Sequence, residues 1–274
     1  MAQITAAEVN KLRKMTGAGM MDCKKALVEA EGDFDKAQQI IREKGMAVAN
    51  KRSDREASEG VVLAKSVGSK GAIIALNCET DFVAKNVDFV KLAETILEKA
   101  IENLPADLDG LNNIEIDGIK ISDKIIELTG IIGEKIDLKY FDKIETEQVA
   151  AYIHSDKKLA TLVGLTKSGI DEQVGKDVAM QVAAMDPVAL NKDAVSPKDI
   201  EKELEIGRNQ AIAEGKPANL VDKIAQGKLG KFFKENTLLS QSFIKDNKMT
   251  VEQYLINTDK DLTVSAFKRF SIKQ

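Results

Sequence analysis

One short segment combines the residue types expected of a site that binds another macromolecule. Residues 77–86 read Asn-Cys-Glu-Thr-Asp-Phe-Val-Ala-Lys-Asn, which places the carboxylate of Asp81 beside the aromatic ring of Phe82. An exposed aromatic side chain next to a carboxylate can anchor in a partner's pocket. Local chemistry alone favours the alternative, a hydrophobic staple in which Phe82 packs on its own helix.

Residues for covalent or acid-base catalysis are sparse. His154 is the only histidine, and no serine or cysteine nucleophile stands at a recognisable spacing from it. Cys23 and Cys78 are too few for a disulfide framework, and they lack cysteine or histidine neighbours at metal-ligand spacing. The many carboxylates alternate with lysines, a pattern typical of solvated helix faces. We therefore expect no enzyme activity, no cofactor and no metal site.

Composition narrows the class further. The chain has 274 residues, 43% of them hydrophobic, and a formal net charge of -4. This acidic balance argues against binding nucleic acid through bulk phosphate neutralisation. Residues 1–5 hold no apolar signal core, and no later run is long enough to span a bilayer. We expect a cytoplasmic protein.

The segment with Asp81 and Phe82 follows a predicted strand and precedes a predicted helix. Residues 71–76 form a short apolar run with β-branched members, typical of a buried strand. Apolar residues recur at helical spacing from Val87 to Ala100. Thr80 and Asp81 are good helix caps at this junction.

Residues 1–45 predict a small unit of three helices. Thr5 and Glu8 have the spacing of a capping box at the first helix. Asp22 and Asp33 are candidate caps for the second and third helices, and the third is expected to stop near Gly45. About 40 residues form a marginal core, so the unit is expected to work as a docking module.

The turn between the first two helices contains Gly17, Ala18 and Gly19. A phosphate-binding loop is a weak interpretation, because no strand precedes the turn and no Gly-Lys-Ser/Thr follows it. A tight turn that presents Met20 and Met21 is favoured. The two methionines suit either a protein contact or burial in the core.

Residues 46–57 are charged and poor in large apolar residues, which predicts a linker. A basic patch for nucleic acid is the sharper alternative, but the acids mixed through the segment disfavour it.

The remaining chain predicts an α+β core in two related copies, residues 58–145 and 146–274. In each copy a predicted hairpin (strands 60–66 and 71–78, then 148–154 and 159–165) is followed by a junction and a helix. Residues 104–118 predict a loop, 121–128 a helix and 135–141 a strand. The second junction, residues 167–171, has no counterpart of Asp81 and Phe82, which favours a role for the first junction beyond folding.

A helical hairpin is predicted inside the second copy. Residues 198–213 and 218–231 form its two helices around Gly215 and Pro217, so the hairpin covers about residues 197–231. A short helix at 250–255 and a final strand at 264–270 follow.

Three stretches of this sequence resemble the elongation factor Ts family. They are residues 9–27, residues 79–86 and residues 227–232 with Leu238 and Gln241 to Phe243. The likeness runs in order over nearly the whole chain, so the protein is identified as a member of that family.

This resemblance implies a guanine nucleotide exchange factor that binds the translational GTPase elongation factor Tu, disturbs its magnesium site and promotes GDP release. It implies a ubiquitin-associated-like helical domain first, then two related subdomains with the inserted hairpin. The residues implied to enter the GTPase as a wedge are Thr80, Asp81, Phe82 and Val83. The residues implied to dock on the same GTPase are Arg13, Met20, Met21, Lys24 and, in the second subdomain, His154.

Two points stay open beside this resemblance. Longer family members carry a further helix after the final strand, whereas this chain stops at Gln274, so that contact is expected to be reduced or absent. Dimerisation through the helical hairpin is a separate hypothesis. The rival functions are an adaptor that binds without changing a partner's ligand affinity and an RNA-binding translation protein, which would show steep salt dependence.

Overall fold

The computed structural model describes residues 4–272 and has a mixed α+β architecture, which confirms the predicted fold class. The chain divides into two compact units. Of the described residues, 4–63, 74–141 and 272 form the first unit, and 64–73 and 142–271 form the second. The predictions for residues 1–3 and for the chain end at 273–274 lie outside the described residues.

Helices make up most of the described chain. Within residues 4–272 they are α1 (Ala6–Thr16), α2 (Met20–Glu29), α3 (Phe34–Lys51), α4 (Asp81–Ala84), α5 (Val87–Asn103), α6 (Leu108–Asn112), α7 (Ile121–Ile132), α8 (Glu172–Met185), α9 (Pro197–Ala213), α10 (Ala218–Asn236) and α11 (Val251–Thr258). Over this part of the chain, no helix combines the length and the apolar character needed to cross a membrane.

The strands build small sheets. They are β1 (Glu59–Val67), β2 (Lys70–Cys78), β3 (Glu115–Ile116), β4 (Ile119–Lys120), β5 (Ile136–Glu145), β6 (Gln148–Ile153), β7 (Leu159–Leu165), β8 (Ser242–Phe243), β9 (Asp246–Thr250) and β10 (Val264–Ser271). The two larger sheets have the orders β1-β2-β5 and β10-β7-β6. In the second of these, β7 is antiparallel to both neighbours, and Gln148 on β6 pairs with Leu165 on β7.

Two of the three predicted caps in the N-terminal helices are confirmed. The capping box of Thr5 and Glu8 begins α1, and the side chain of Asp33 accepts the first free amides of α3. The prediction for Asp22 is wrong, because α2 begins at Met20 with Gly19 as its cap. Asp22 lies inside the first turn, where the helix dipole favours a carboxylate.

The predicted end of α3 near Gly45 is also wrong, because the helix continues to Lys51. Gly45 is buried, and it faces Gly130 of α7 across a close helix contact. A glycine there serves close approach of two backbones rather than termination. The first half of the predicted linker at 46–57 is therefore helical.

The core elements follow the predicted order with some extensions. The strand at residues 159–165 is confirmed with its predicted bounds, while α7 and α10 run past their predicted ends, to Ile132 and Asn236. The loop predicted for 104–118 is wrong in part, because it contains α6 and the strand β3, which pairs with β4 just beyond the predicted loop. Elements of two to five residues carry too little periodicity to be found from sequence.

A buried polar cluster holds the core of the second unit. The carboxylate of Asp177 is buried in α8 and bonds to Lys245 Nζ at 2.6 Å and to the Tyr254 hydroxyl at 3.1 Å. Burial and the nearby Asp177 charge raise the pKa of Tyr254 to about 12. Since buried charges need such partners, this cluster fixes α11 and the β8-β9 pair on α8.

The contact of α3 with α7 depends on two glycines that are not equivalent. A Cβ atom added to Gly130 would lie 2.3 Å from the Gly45 Cα atom, whereas one added to Gly45 would lie 3.5 Å from the Gly130 Cα atom. The first distance is a steric overlap and the second is an ordinary van der Waals contact. Arg42 and Glu127 add an ion pair of 2.8 Å between the same helices.

We predict that Gly130→Ala lowers the free energy of unfolding by about 1–3 kcal/mol, because the overlap forces the two helices apart. Gly45→Ala is the matched control. It is expected to be neutral or to stabilise by up to about 1 kcal/mol, since alanine is the better helix former. Denaturant unfolding of the three proteins measures this, and a Gly130→Ala protein as stable as the wild type would contradict the packing.

Candidate functional site

The segment with Asp81 and Phe82 forms a single helical turn, α4, directly after strand β2. Cys78 ends the strand, and Thr80 is the cap residue, whose Oγ1 atom accepts from the Val83 amide at 3.4 Å. The turn ends at Ala84, and Asn86 then caps α5. The predicted junction between strand and helix is therefore confirmed, with one extra turn inserted.

The hydrophobic-staple interpretation of Phe82 is wrong. The side chain of Phe82 is 82% exposed, while Val83 and Ala84 on the same turn are buried. A four-residue turn has one inward face, and Val83 and Ala84 occupy it, so Phe82 is left pointing into solvent. Val87, at the start of α5, is also 79% exposed and extends the apolar surface. The sequence analysis counted Val87 among the apolar residues at helical spacing, but the structure leaves it outside the buried face of α5.

The carboxylate of Asp81 is engaged on its own turn. The Nζ atom of Lys85 lies 2.7 Å from Asp81 Oδ2, and both side chains are at least half exposed. This hydrogen bond and the charge of Asp81 raise the pKa of Lys85. An exposed pair of this kind contributes little to stability, so Asp81 can change partners at small cost.

Hydrogen bonds between residues 79–80 and residues 134–135 hold the base of this turn in place. The carboxylate of Glu79 accepts from the Lys135 amide at 2.6 Å. In return, the carboxylate of Glu134 accepts from the Thr80 amide at 3.1 Å and from its hydroxyl at 2.8 Å. We call these four residues, Glu79, Thr80, Glu134 and Lys135, the reciprocal clasp. Hydrogen bonds to charged acceptors are about twice as strong as neutral ones.

The reciprocal clasp also reaches the end of helix α3. Arg52 follows that helix, and its Nη1 atom donates to both Glu79 oxygens, at 2.8 and 3.0 Å. Lys135 Nζ donates to the Ser53 carbonyl at 2.7 Å. The sequence analysis placed Arg52 and Ser53 in the predicted linker at 46–57. No local sequence pattern predicts that residues 79–80 contact residues 134–135.

The predicted docking residues of the N-terminal helices all lie on the surface of the first unit. Arg13 and Lys24 are exposed, and Met20 and Met21 are 53% and 62% exposed. The alternative in which a methionine enters the core is wrong for both. The core of these helices is built from other residues, among them Leu12 and Leu27.

His154 belongs to the second unit and is exposed. It follows β6, and its Nδ1 atom lies 3.0 Å from the Tyr152 hydroxyl. The pair forms a polar and aromatic edge at the end of the β6-β7 hairpin.

Residues 4–272 contain no group of three histidine, cysteine, aspartate or glutamate side chains that could hold a metal ion. Cys23 and Cys78 are buried free thiols. Cys78 donates to the Thr80 carbonyl at 3.1 Å, so it supports the base of α4. The exposed site presents an aromatic ring and its neighbours, which are suited to a contact with a partner.

Comparison with known proteins decides the family. A family model described as Elongation factor TS matches residues 79–274. The relatives include Elongation factor Ts of Christiangramia forsetii, 53% identical over 99% of this chain and 100% of the relative. Those of Amoebophilus asiaticus and Porphyromonas gingivalis are 51% and 50% identical, each over at least 97% of this chain and 98% of the relative.

The chain belongs to the elongation factor Ts family. Its role is that of a translation elongation factor, as the resemblance implied. The part that matches the elongation factor Ts model begins at Glu79, the first residue of the reciprocal clasp. The elongation factor Ts relatives extend the match through the N-terminal helices as well.

Acid is expected to weaken the reciprocal clasp at Glu79. Partial burial opposes the charged form of Glu79, but the Lys135 amide and the Arg52 guanidinium outweigh it and hold its pKa below the ordinary value of 4.5. A lowered pKa in the folded state means that Glu79 stabilises the fold fully above pH 4.5. That stabilisation is lost as the pH falls through the lowered value.

We predict that Glu79→Gln lowers the free energy of unfolding by about 1 kcal/mol at pH 7, because the hydrogen bonds from the Lys135 amide and the Arg52 guanidinium lose their charged acceptor. The difference from wild type should shrink as the pH falls below 4.5. Denaturant unfolding at a series of pH values measures it. Glu102→Gln, which removes the charge from an exposed ion pair with Lys99, should change stability by less than about 0.5 kcal/mol at every pH. A Glu79→Gln deficit that stays constant down to pH 3.5 would contradict the assignment.

Proposed function

We propose that this member of the elongation factor Ts family is a guanine nucleotide exchange factor for the GTPase elongation factor Tu. One observation carries the proposal: Phe82 is 82% exposed on a short turn that the reciprocal clasp holds from below. Exposing so large an apolar group in water is unfavourable for the free protein. Its value lies in a complex, where the ring enters a pocket of the partner.

The energetic basis of exchange is thermodynamic linkage. A nucleotide bound with nanomolar affinity is stabilised by about 12 kcal/mol, so it leaves slowly by itself. An exchange factor that binds the nucleotide-free GTPase more tightly than the loaded form must weaken nucleotide binding by the same factor. No bond is made or broken in this process, so the protein acts without covalent enzyme chemistry and without a cofactor of its own.

In this proposal Thr80, Asp81, Phe82 and Val83 form the wedge. Phe82 supplies apolar contact that displaces elements around the partner's magnesium site, and magnesium is the natural target because it neutralises phosphate charge. Asp81 leaves Lys85 and competes for hydrogen bonds that order the same site. Val83, buried under the turn, keeps the ring in place.

Docking is assigned to two surfaces. The exposed Arg13, Met20, Met21 and Lys24 would bind the nucleotide domain of the GTPase, and methionines on a turn adapt well to a protein surface. The exposed edge with His154 would bind the GTPase's C-terminal domain. The cytoplasm, where translation factors act, is the proposed location.

The domain organisation read from the sequence belongs to the same proposal. It comprises a ubiquitin-associated-like domain at 1–45, a linker at 46–57, whose first half continues helix α3, and two related subdomains at 58–145 and 146–274. The three N-terminal helices with their own core support the first assignment. The duplication is supported by the shared order of a hairpin, β1-β2 or β6-β7, followed by a helix.

We predict that Phe82→Ala slows GDP release from elongation factor Tu at least tenfold while the fold stays intact, because the ring contacts little in the free protein. A tenfold effect corresponds to about 1.4 kcal/mol of transition-state stabilisation. Stopped-flow release of a fluorescent guanine nucleotide at saturating exchange factor measures it.

Ile256→Ala is the matched control for Phe82→Ala. It shortens another exposed apolar side chain, on α11 in the second unit, and should release nucleotide at the wild-type rate. A Phe82→Ala protein that releases nucleotide as fast as wild type refutes the wedge. A stable complex in which even the wild type leaves nucleotide release unchanged would identify the rival function, an adaptor.

Dimerisation through the helical hairpin of α9 and α10 stays a prediction of its own. Ile212 and Leu220 are exposed near the tip of the hairpin, which is the feature that favours it. Sedimentation velocity should show a dimer for the wild type and a monomer for Ile212→Asp. A monomeric wild type at high micromolar concentration would exclude this role.

A further inference from the structure

We propose that Glu134 is a positioning residue for nucleotide exchange, which acts by holding Thr80 and through it the turn that carries Phe82. The inference rests on the proposed exchange function and deepens it. Glu134 lies 52 residues beyond Phe82 in the chain, and no motif that identifies the family includes it. Its role follows from the hydrogen bonds at the base of α4.

The hydroxyl group of Thr80 performs two tasks that require a fixed orientation. Its Oγ1 atom accepts from the Val83 amide, and it donates to the Glu134 carboxylate at 2.8 Å. A threonine hydroxyl has one hydrogen, so it can cap the turn only if that hydrogen points elsewhere. An ionised carboxylate accepts and never donates, and therefore Glu134 sets the hydroxyl in its capping orientation.

Glu134 also holds the backbone at the same position. Its Oε2 atom accepts from the Thr80 amide at 3.1 Å. A turn of four residues has almost no intrinsic stability, so its order must come from such tertiary contacts. With the amide and the hydroxyl both bonded to one carboxylate, the start of α4 has little freedom to rotate.

The helix behind Glu134 supplies a rigid support. Helix α7 ends at Ile132, and Gly133 turns the chain with a φ of 80°, a conformation that favours glycine. The same helix packs closely against α3 through Gly45 and Gly130. Glu134, and through it the turn with Phe82, is therefore held by helices that pack on each other and not by a flexible loop.

The test measures GDP release from elongation factor Tu as a function of exchange-factor concentration. Glu134→Ala is expected to lower the maximal release rate about tenfold and to leave the half-saturating concentration within about twofold, because the docking residues are untouched. Glu102→Ala, which removes an exposed, ion-paired glutamate elsewhere in the first unit, is expected to match the wild type in both quantities.

A double mutant separates positioning from a general loss of structure. If Glu134 acts through Phe82, adding Glu134→Ala to Phe82→Ala should slow release by less than twofold further. Equal slowing in the presence and absence of Phe82 would overturn the proposal. So would a Glu134→Ala protein that keeps the wild-type rate while Phe82→Ala is slow. A wild type that fails to accelerate release would overturn the exchange function as well, so the two failures are distinguishable.

Hydrogen exchange on the free protein provides a readout that does not involve the GTPase. The Thr80 and Val83 amides are expected to exchange at least tenfold faster in Glu134→Ala, while amides of β2 keep their protection. Unchanged protection at Thr80 would overturn the proposal. If the Glu134→Ala protein does not fold, the same measurements are made on Glu134→Gln. It keeps one acceptor oxygen, so about threefold effects are expected, and wild-type values would overturn the role.

Discussion

The reciprocal clasp is the constraint on which the exposed site depends. A large aromatic ring held in water gains nothing from its own fold, so the surrounding structure must fix it by other means. The carboxylate of Glu79 accepts from the backbone amide of Lys135, the residue after Glu134. The carboxylate of Glu134 accepts from the backbone amide of Thr80, the residue after Glu79. These two carboxylates and two amides, which would otherwise need separate partners, satisfy one another at the start of the turn that carries Phe82.

Because the reciprocal clasp orders the turn before binding, less of the binding energy is lost to ordering the turn in a complex. A flexible loop that carried Phe82 would become ordered only in the complex, and the entropy lost there would reduce the energy left to distort a partner. With the turn ordered beforehand, contact energy can be spent on the partner's conformation. The exposed pair of Asp81 and Lys85 fits this division, since it is weak enough to exchange while the clasp below it is partly buried.

The sequence predicted what short-range chemistry determines. The capping box at Thr5, the cap at Thr80 and the strand at 159–165 depend on residues within a few positions of one another. Prediction from the sequence failed where contacts between distant residues determine the structure. From sequence alone Gly45 predicts the end of a helix, because its contact with Gly130 is not visible there. Phe82 predicts a hydrophobic staple, because the sequence does not show that Val83 and Ala84 fill the inward face of the turn. Within the reciprocal clasp, Lys135 as partner of Glu79 and Glu134 as partner of Thr80 each lie more than 50 residues away, beyond any local pattern.

The same long-range contacts join the two halves of the proposed binding surface in the first unit. Arg52, at the end of α3, bonds to Glu79, and α3 packs on α7 immediately before Glu134. The helices α1 and α2, which carry the proposed docking residues, share their core with α3, so these residues and Phe82 belong to one unit. A surface built in this way cannot place its helices on a partner without also placing the ring. In the proposed exchange function, docking and insertion of the ring would then be coupled, and a preference for the nucleotide-free GTPase would weaken nucleotide binding by the same factor.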